Sequence, residues 1–229
     1  MSLRRRQPVW RLRLARATLA SMGMLGMAIE AAAQGPAAGA ASAPSASAYT
    51  ERYGNLCAAC HGASGVSALA GVPSLAGQPS FYAVTQLFLF RDGRRDNAAM
   101  TAIAKDMSDA DLRGYSDAIG RLPPAPTAAV APPDPARQAS GAVIAKRLHC
   151  LGCHGDAADG GRQVPRLAGQ REDYLQLALR GFRTGSRVGY TAAMNETLAG
   201  VAAAEIDDLA HYFAHFATPA TLKAPPTRP

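Results

Sequence analysis

Two stretches of the chain carry an apolar stripe with helical spacing. In each stretch, four apolar residues stand at relative positions 0, 3, 7 and 10, which places them on one face of an amphipathic helix. The first stripe comprises Leu112, Tyr115, Ile119 and Leu122, and the second comprises Ile206, Leu209, Phe213 and Phe216. We therefore predict a last helix in each half of the chain, beginning near residue 108 and near residue 203. Serine precedes the first of these helices and alanines precede the second, so only the first has an obvious N-cap and we expect the second half to be somewhat less stable.

Two further helices are predicted in each half. The first runs into a cysteine motif, over 49–60 and again over 141–153. The second covers 80–91 and 172–183, and a glycine that ends the helix follows just beyond. Neither half has the sustained alternation of apolar and polar residues that predicts a strand. Both halves are also poor in large apolar side chains for their size, so each core needs an additional component.

The two halves are an internal repeat. Cys-x-x-Cys-His, Pro-x-Leu-Ala-Gly-Gln, a tyrosine, Phe-Arg-x-Gly and a methionine follow one another in both, with an offset of 92 to 94 residues. Their positions are 57–61, 73–78, Tyr82, 90–93 and Met100 in the first half, and 150–154, 165–170, Tyr174, 182–185 and Met194 in the second. The repeat predicts two all-α domains of one kind in tandem.

Segments rich in alanine, glycine, serine and proline lie between and around these domains. Six arginines in residues 1–33, an apolar stretch and a small-residue cleavage site before Gln34 predict a signal peptide and export. The apolar stretch is too short to span a bilayer comfortably, and an uncleaved anchor is the alternative. The expected organisation is 1–33 signal peptide, 34–48 flexible tether, 49–122 first domain, 123–140 proline-rich linker, 141–218 second domain and 219–229 disordered tail.

The net charge of +7 belongs mostly to the first 33 residues. They hold six arginines and one glutamate, which leaves 18 basic and 16 acidic residues, or +2, in the rest of the chain. A nearly balanced mature protein gives no support for nucleic-acid binding.

All four cysteines lie in two Cys-x-x-Cys-His motifs, the attachment signature of haem c. Two thiols on one helical turn can reach the two vinyl groups at one edge of a porphyrin, and the histidine projects its imidazole toward the iron. The predicted attachment and ligand residues are Cys57, Cys60 and His61 for one haem c, and Cys150, Cys153 and His154 for the other. The alternatives are a redox-active cysteine pair, a local disulfide or half of a zinc site. A redox pair does not need a following histidine, and a zinc site would need more thiols.

The repeat also selects the second axial ligand of each iron. Met100 lies 39 residues after His61, and Met194 lies 40 residues after His154. A thioether ligand favours ferrous iron and fills the coordination sphere, which suits an electron carrier. Met107 is out of register, so we predict that it fills the core.

Two other histidines stand four residues apart on the last helix, a spacing also found in metal sites. His211 and His215 point away from the apolar stripe of that helix, so we predict that both face solvent. The sequence shows no nucleophile–base pair, phosphate-binding loop or further metal-ligand cluster, which argues against an enzyme in its own right.

Further residues are candidates for the surroundings of the haems. The carbonyl of Pro73 and that of Pro165 are placed to accept the other ring N–H of the ligating histidines, and an ordinary turn proline is the alternative. The candidates for hydrogen bonds to haem propionates are Arg91, Arg95, Arg183, Arg187, Tyr82 and Tyr174. Solvated surface charge is the alternative for each of these residues.

The repeated motifs and the two methionines resemble those of the class I cytochromes c, specifically the two-haem cytochrome c4 family. The resemblance runs from about residue 49 to residue 217. It implies two tandem class I cytochrome c domains joined by a proline-rich linker, with His/Met iron, a Pro73 and Pro165 carbonyl bond to each proximal histidine, and domains packed so that electrons pass between haems. It also implies a periplasmic carrier between a respiratory donor and an acceptor such as a terminal oxidase. Its partners would be redox proteins, and any peripheral association with a membrane would run through them.

Two other functions stay open from the sequence. The first is a dedicated haem subunit of a dehydrogenase or flavoenzyme complex. The second is a haem enzyme or sensor, such as a peroxidase, in which one iron lacks methionine.

Overall fold

The computed structural model describes residues 44–125, 132–187, 189 and 192–216. The predicted signal peptide, most of the tether, the middle of the linker and the predicted tail lie outside these residues. The helices of the described residues are α1 (Ala46–Leu56), α2 (Ala58–His61), α3 (Ser80–Arg91), α4 (Ala98–Ala104), α5 (Asp109–Gly120), α6 (Pro135–Arg147), α7 (Cys150–His154), α8 (Glu172–Thr184), α9 (Ala193–Leu198) and α10 (Ala203–Ala214). One isolated bridge, Gly161 to Val164, is the only β pairing in this part of the chain, so the all-α prediction is confirmed. None of the helices in these ranges has the length and apolarity needed to cross a membrane.

The middle and last helices of both halves lie where the sequence predicts them, whereas the first helix does not. In each half, the predicted first helix is broken at the cysteine motif, into α1 and α2 and into α6 and α7. Helix α6 also begins earlier than predicted, at Pro135 within the segment predicted as linker. The Asp134 carboxylate caps it by accepting the N–H groups of Ala136 at 2.8 Å and Arg137 at 3.1 Å. Proline suits this first position because its missing N–H would have no partner within the helix.

The last helix of each half packs against the first and the middle helix. In the N-terminal half α5 contacts α1 and α3, and in the C-terminal half α10 contacts α6 and α8. Each half has its own hydrophobic core, and Met107, 9% exposed, lies in the core of the N-terminal half as predicted. Glycine permits close crossing of first and last helices in both halves. A side chain at Gly114 would overlap the Tyr49 ring, and one at Gly141 would overlap α10 at Asp208.

The prediction that His211 and His215 face solvent is wrong. His211 is only 3% exposed, and His215 is half-buried. The reason is that α10 is covered by α6 as well as by α8, so its buried surface is wider than one apolar stripe. His211 Nδ1 lies 3.0 Å from the Glu172 carboxylate on α8, and its Nε2 accepts the backbone N–H of Asp134 at 2.9 Å. Both ring nitrogens of His211 thus hold helices together.

The two last helices begin differently, as the sequence predicts. Ser108 and Asp111 form a reciprocal capping box at the start of α5. At the start of α10, Ala202 has no side-chain acceptor, and only the return bond is present, from the N–H of Ala202 to the Glu205 carboxylate at 2.9 Å. Helix α10 therefore has half of the capping interactions of α5.

Candidate haem-binding sites

Cys57 caps the start of α2 and Cys60 lies within it, whereas Cys150 and Cys153 both lie in α7; each of these short helices ends at the buried histidine of its motif. All four cysteines are free thiols; Cys57 and Cys150 are half-buried, and Cys60 and Cys153 are exposed. Burial raises the pKa of the Cys57 thiol to about 11 and also raises the pKa of Cys150. A redox-active pair needs a thiolate with a lowered pKa, so these environments argue against that alternative.

The histidines of the two motifs have the same setting in both halves. His61 is 7% exposed with Nδ1 2.8 Å from the carbonyl oxygen of Pro73, and His154 is 6% exposed with Nδ1 2.9 Å from that of Pro165. Burial lowers the pKa of both imidazoles below its usual value, and the positive charge of Arg95 lowers that of His61 further. A neutral ring that donates its Nδ1–H to a carbonyl carries its lone pair on Nε2, the form that binds a metal.

The two methionines in register lie on short helices that the sequence pattern does not predict. Met100 is in the first turn of α4, where its N–H donates to the Asn97 side chain at 2.9 Å, and Met194 is in α9. Both are half-buried and pack against the core of their own half, as Cys57 and Cys150 do.

Asn195 holds α9 in place and was missed by sequence reasoning. Its side-chain amide donates to the backbone carbonyls of Phe182 at 2.8 Å and Arg187 at 2.9 Å, so it ties the methionine helix to the end of α8. Its position next to Met194 is the one signal in the sequence that could have drawn attention to it.

Two buried glutamines join the halves through a reciprocal set of hydrogen bonds. Gln170 accepts the N–H of Ser74 at 2.8 Å and donates to the Ser74 carbonyl at 2.8 Å. Gln78 accepts the N–H of Arg166 at 3.1 Å and donates to the Arg166 carbonyl at 2.9 Å. Each glutamine is the last residue of the repeated Pro-x-Leu-Ala-Gly-Gln segment. Each forms hydrogen bonds with the residue that follows the proline in the other copy of that segment.

Two arginines and two tyrosines converge from both halves beside this contact. Arg95 donates to the Tyr174 hydroxyl at 3.0 Å, and Arg187 donates to the hydroxyls of Tyr82 at 3.3 Å and Tyr174 at 3.4 Å. Burial by itself would raise the pKa of Tyr174, but the two arginines outweigh it and lower that pKa to about 8. Among the described residues, neither guanidinium has a carboxylate within 4.0 Å.

The other two candidate arginines lie outside this cluster. Arg91 donates to the Met107 carbonyl at 3.1 Å and to the Asp109 carboxylate at 2.8 Å, and so binds the start of α5. Arg183 is half-buried near the end of α8.

The donor set of each half fits a covalently attached haem. It offers two free thiols one helical turn apart, a neutral imidazole with a lone pair on Nε2, and a thioether at the edge of an apolar core.

Each half of the chain matches a family model of known proteins. The family model "Cytochrome C oxidase, cbb3-type, subunit III" matches residues 44–115, and the model "Cytochrome c" matches residues 138–216. A thiosulfate dehydrogenase electron acceptor of Thiomonas intermedia is 35% identical over 152 residues, which cover 62% of this chain and 70% of that protein. Cytochrome c4 of Pseudomonas aeruginosa is 31% identical over 166 residues, which cover 69% of this chain and 82% of that protein.

The solved structures agree with these relatives. The crystal structure of reduced recombinant cytochrome c4 from Pseudomonas stutzeri superposes with a TM-score of 0.68 at 27% identity, and covers 76% of this chain and 100% of that one. The chain therefore belongs to the two-haem cytochrome c4 family of class I cytochromes c, and is an electron carrier with two covalently bound haem c groups rather than a catalytic enzyme.

Proposed function

We propose that His61 and Met100 ligate the iron of one haem, and that His154 and Met194 ligate the iron of the other. The observation that carries this proposal is the twin bond from histidine Nδ1 to the carbonyl oxygens of Pro73 and Pro165. In both halves this bond leaves Nε2 as the nitrogen that can bind iron, and the register of the repeat supplies one methionine per half. We place the two domains at 49–122 and 141–218. Each haem would be attached to the two cysteines of the motif in its own domain.

Each haem supplies a one-electron couple, and the residues around it keep other chemistry away. With His61 and Met100, and His154 and Met194, as its ligands, each haem iron would have no position open for a substrate. The buried histidines have lowered pKa values, so their rings stay neutral and hold a single tautomer through hydrogen bonds to the proline carbonyls. The thioether favours ferrous iron and raises the reduction potential, as a carrier requires.

Arg95, Arg187, Tyr82 and Tyr174 are the residues that we propose for binding haem propionates. The support is their convergence across the boundary between the halves, where two cations face phenols and, among the described residues, no carboxylate. A propionate would supply the missing negative charge through charge-assisted hydrogen bonds.

Methionine variants test the ligation. Met100→Ala and Met194→Ala are each expected to remove the weak sulfur-to-iron absorption of one haem and to open that iron to carbon monoxide. Met107→Leu is the matched control, because Met107 lies in the core and is expected to keep both bands. Two intact sulfur bands in Met100→Ala or in Met194→Ala would refute the assignment of that methionine.

We place the carrier in the periplasm, between a respiratory donor and an acceptor such as a terminal oxidase. The predicted signal peptide over 1–33 supports export. Cell fractionation and N-terminal sequencing are expected to give a periplasmic protein that begins at Gln34, and a cytoplasmic protein with an intact N-terminus would contradict export.

A dedicated subunit of a dehydrogenase is the second candidate function. It is favoured by the relative from Thiomonas intermedia, which is an electron acceptor of thiosulfate dehydrogenase. Stoichiometric co-purification with a catalytic chain, and reduction of both haems by that chain with thiosulfate, would establish this function. Isolation only as a free protein that reduces an oxidase would favour the shuttle.

A further inference from the structure

The bonds between the halves act on the same peptide groups that hold the haem histidines. The carbonyl that accepts Nδ1–H of His61 belongs to Pro73, and the N–H of that same peptide group belongs to Ser74. This N–H donates to the side-chain oxygen of Gln170, in the other half, at 2.8 Å. A continuous hydrogen-bond chain therefore runs from Gln170, through one peptide group, to the His61 ring.

An equivalent chain of hydrogen bonds runs from the N-terminal half to the C-terminal half. Gln78, in the N-terminal half, accepts the N–H of Arg166 at 3.1 Å, and the carbonyl of that peptide group belongs to Pro165. His154 Nδ1 lies 2.9 Å from this carbonyl oxygen. Each haem histidine thus stands at the end of a chain that begins on a glutamine of the other half.

These hydrogen bonds are buried, so water cannot replace them if they are lost. Gln78 and Gln170 are each 6% exposed, Ser74 is 4% and Arg166 is 7% exposed. An apolar side chain in place of either glutamine would remove two hydrogen bonds to backbone groups at a site that water does not reach. The Gln170 oxygen also accepts the N–H of Arg171 at 3.0 Å, which fixes the orientation of the amide.

Hydrogen bonds at the two ends of one peptide group strengthen each other. The glutamine oxygen polarises the N–H, which makes the carbonyl a better acceptor for the histidine ring, by roughly 10–30% per bond. A stronger bond at Nδ1 raises the basicity of the ring and its donation of electrons to a metal at Nε2. Greater donation stabilises ferric iron and lowers the reduction potential.

We propose that Gln170 is a positioning residue for His61 and Gln78 is one for His154, so that each half sets the reduction potential of the haem in the other half. The inference rests on the proposed ligation by these histidines. It follows that contact between the halves lowers both potentials, and that weakening one chain raises the potential of one haem only.

The test is a pair of isosteric variants, Gln170→Met and Gln78→Met, in the full-length holoprotein. The two potentials are measured by redox titration followed by NMR, with the haem signals assigned through contacts to residues of their own half. Gln170→Met is expected to raise the potential of the haem attached to Cys57 and Cys60. Gln78→Met is expected to raise the potential of the other haem. The expected change in each reduction equilibrium is about two- to fourfold, or about 18–36 mV at 59 mV per tenfold for one electron.

Asp173→Asn is the matched control. Asp173 accepts the N–H of Gly71 from the other half at 3.1 Å, so its replacement weakens the same interface without touching either peptide group. Because it also removes one negative charge, it is expected to raise both potentials by similar small amounts, without the crossed pattern of the glutamine variants. If each glutamine variant shifts the haem of its own half, shifts both haems equally, or shifts neither, the proposal is overturned.

Failure of the ligation itself would give a different result. If the sulfur-to-iron band of the unmodified protein were missing at one haem, the proposed ligands would be wrong whatever the variants do. Bands retained at both haems in all variants, without the crossed shifts, would overturn only the role of the glutamines.

Discussion

Asp111 caps α5 and links it to α1 in the N-terminal half, and its replacement by alanine is expected to destabilise that half strongly. One carboxylate oxygen accepts the N–H of Ser108 at 3.1 Å and its hydroxyl at 2.6 Å. The other accepts the Tyr49 hydroxyl at 2.9 Å and the Arg52 guanidinium at 2.9 Å. The side chain thus completes the capping box of α5 and links α5 to α1.

The expected loss in the free energy of unfolding follows from these bonds. Loss of the capping interaction costs about 1 kcal/mol. Leaving the hydroxyl of Tyr49 without its acceptor costs about 1–2 kcal/mol, because the ring is only 4% exposed. The exposed ion pair with Arg52 adds little, because water screens it. The total of about 2–3 kcal/mol corresponds to a fall in Tm of about 8–24 °C for a domain of this size.

The effect of Asp111→Ala also depends on pH in a defined direction. The hydrogen bonds from Ser108 come first among the interactions that lower the pKa of Asp111 below its ordinary value of 3.8. A carboxyl with a lowered pKa in the folded state stabilises the protein above its unfolded pKa, and this stabilisation is lost as pH falls through the folded pKa. The difference between Asp111→Ala and the unmodified protein should therefore be full at neutral pH and shrink below about pH 4.

Urea unfolding of the oxidised protein, followed by haem absorption, measures the change. Asp117→Ala is the control, since Asp117 is an exposed carboxylate on the same helix. A loss below about 0.5 kcal/mol in Asp111→Ala, the range of ordinary surface substitutions, would refute the role given to these bonds.

Three further substitutions have expected effects that the same unfolding assay checks. Ala202→Ser supplies the missing N-cap of α10 and should stabilise the C-terminal half by about 0.5–1 kcal/mol, and no gain would show that the Glu205 bond already suffices. His211→Leu leaves the Asp134 N–H without its acceptor and removes one of the two partners of the Glu172 carboxylate, which keeps Arg137, and should cost about 1–3 kcal/mol; a neutral result would contradict the network. Gly141→Ala places a methyl group against the backbone of α10 and should cost about 1–3 kcal/mol, whereas an unchanged free energy of unfolding would mean that the helices separate freely.

The parts predicted from the sequence are those with a local pattern. The cysteine motifs and the apolar stripes are short local patterns, and the repeat shows them twice; together they predicted the two haems, the tandem all-α domains and the last helices. The short helices with Met100 and Met194 span only seven and six residues, too few for a periodic pattern. The burial of His211 depends on a second helix packed across α10, which no stripe within α10 reveals.

The family resemblance implied that the two domains pack together, but the residues that join them could not be predicted, because their partners are backbone groups far along the chain. Gln170 bonds Ser74 across 96 residues, and Gln78 bonds Arg166 across 88. Almost every residue has a backbone N–H, so residue identities do not show which one a side chain binds. The sequence shows only that the glutamine is repeated. The sequence made Arg95 and Arg187 candidates for binding haem propionates. It did not predict that these two arginines converge from opposite halves.

A redox titration of the purified holoprotein, combined with the sulfur-to-iron band of its oxidised form, tests the central claim most directly. Histidine and methionine at both irons predict two one-electron centres at positive potential and the band at both haems. One low-potential centre, or a band missing from one haem, would mean that Met100 or Met194 is not a ligand and would contradict the account of a carrier with two closed iron sites.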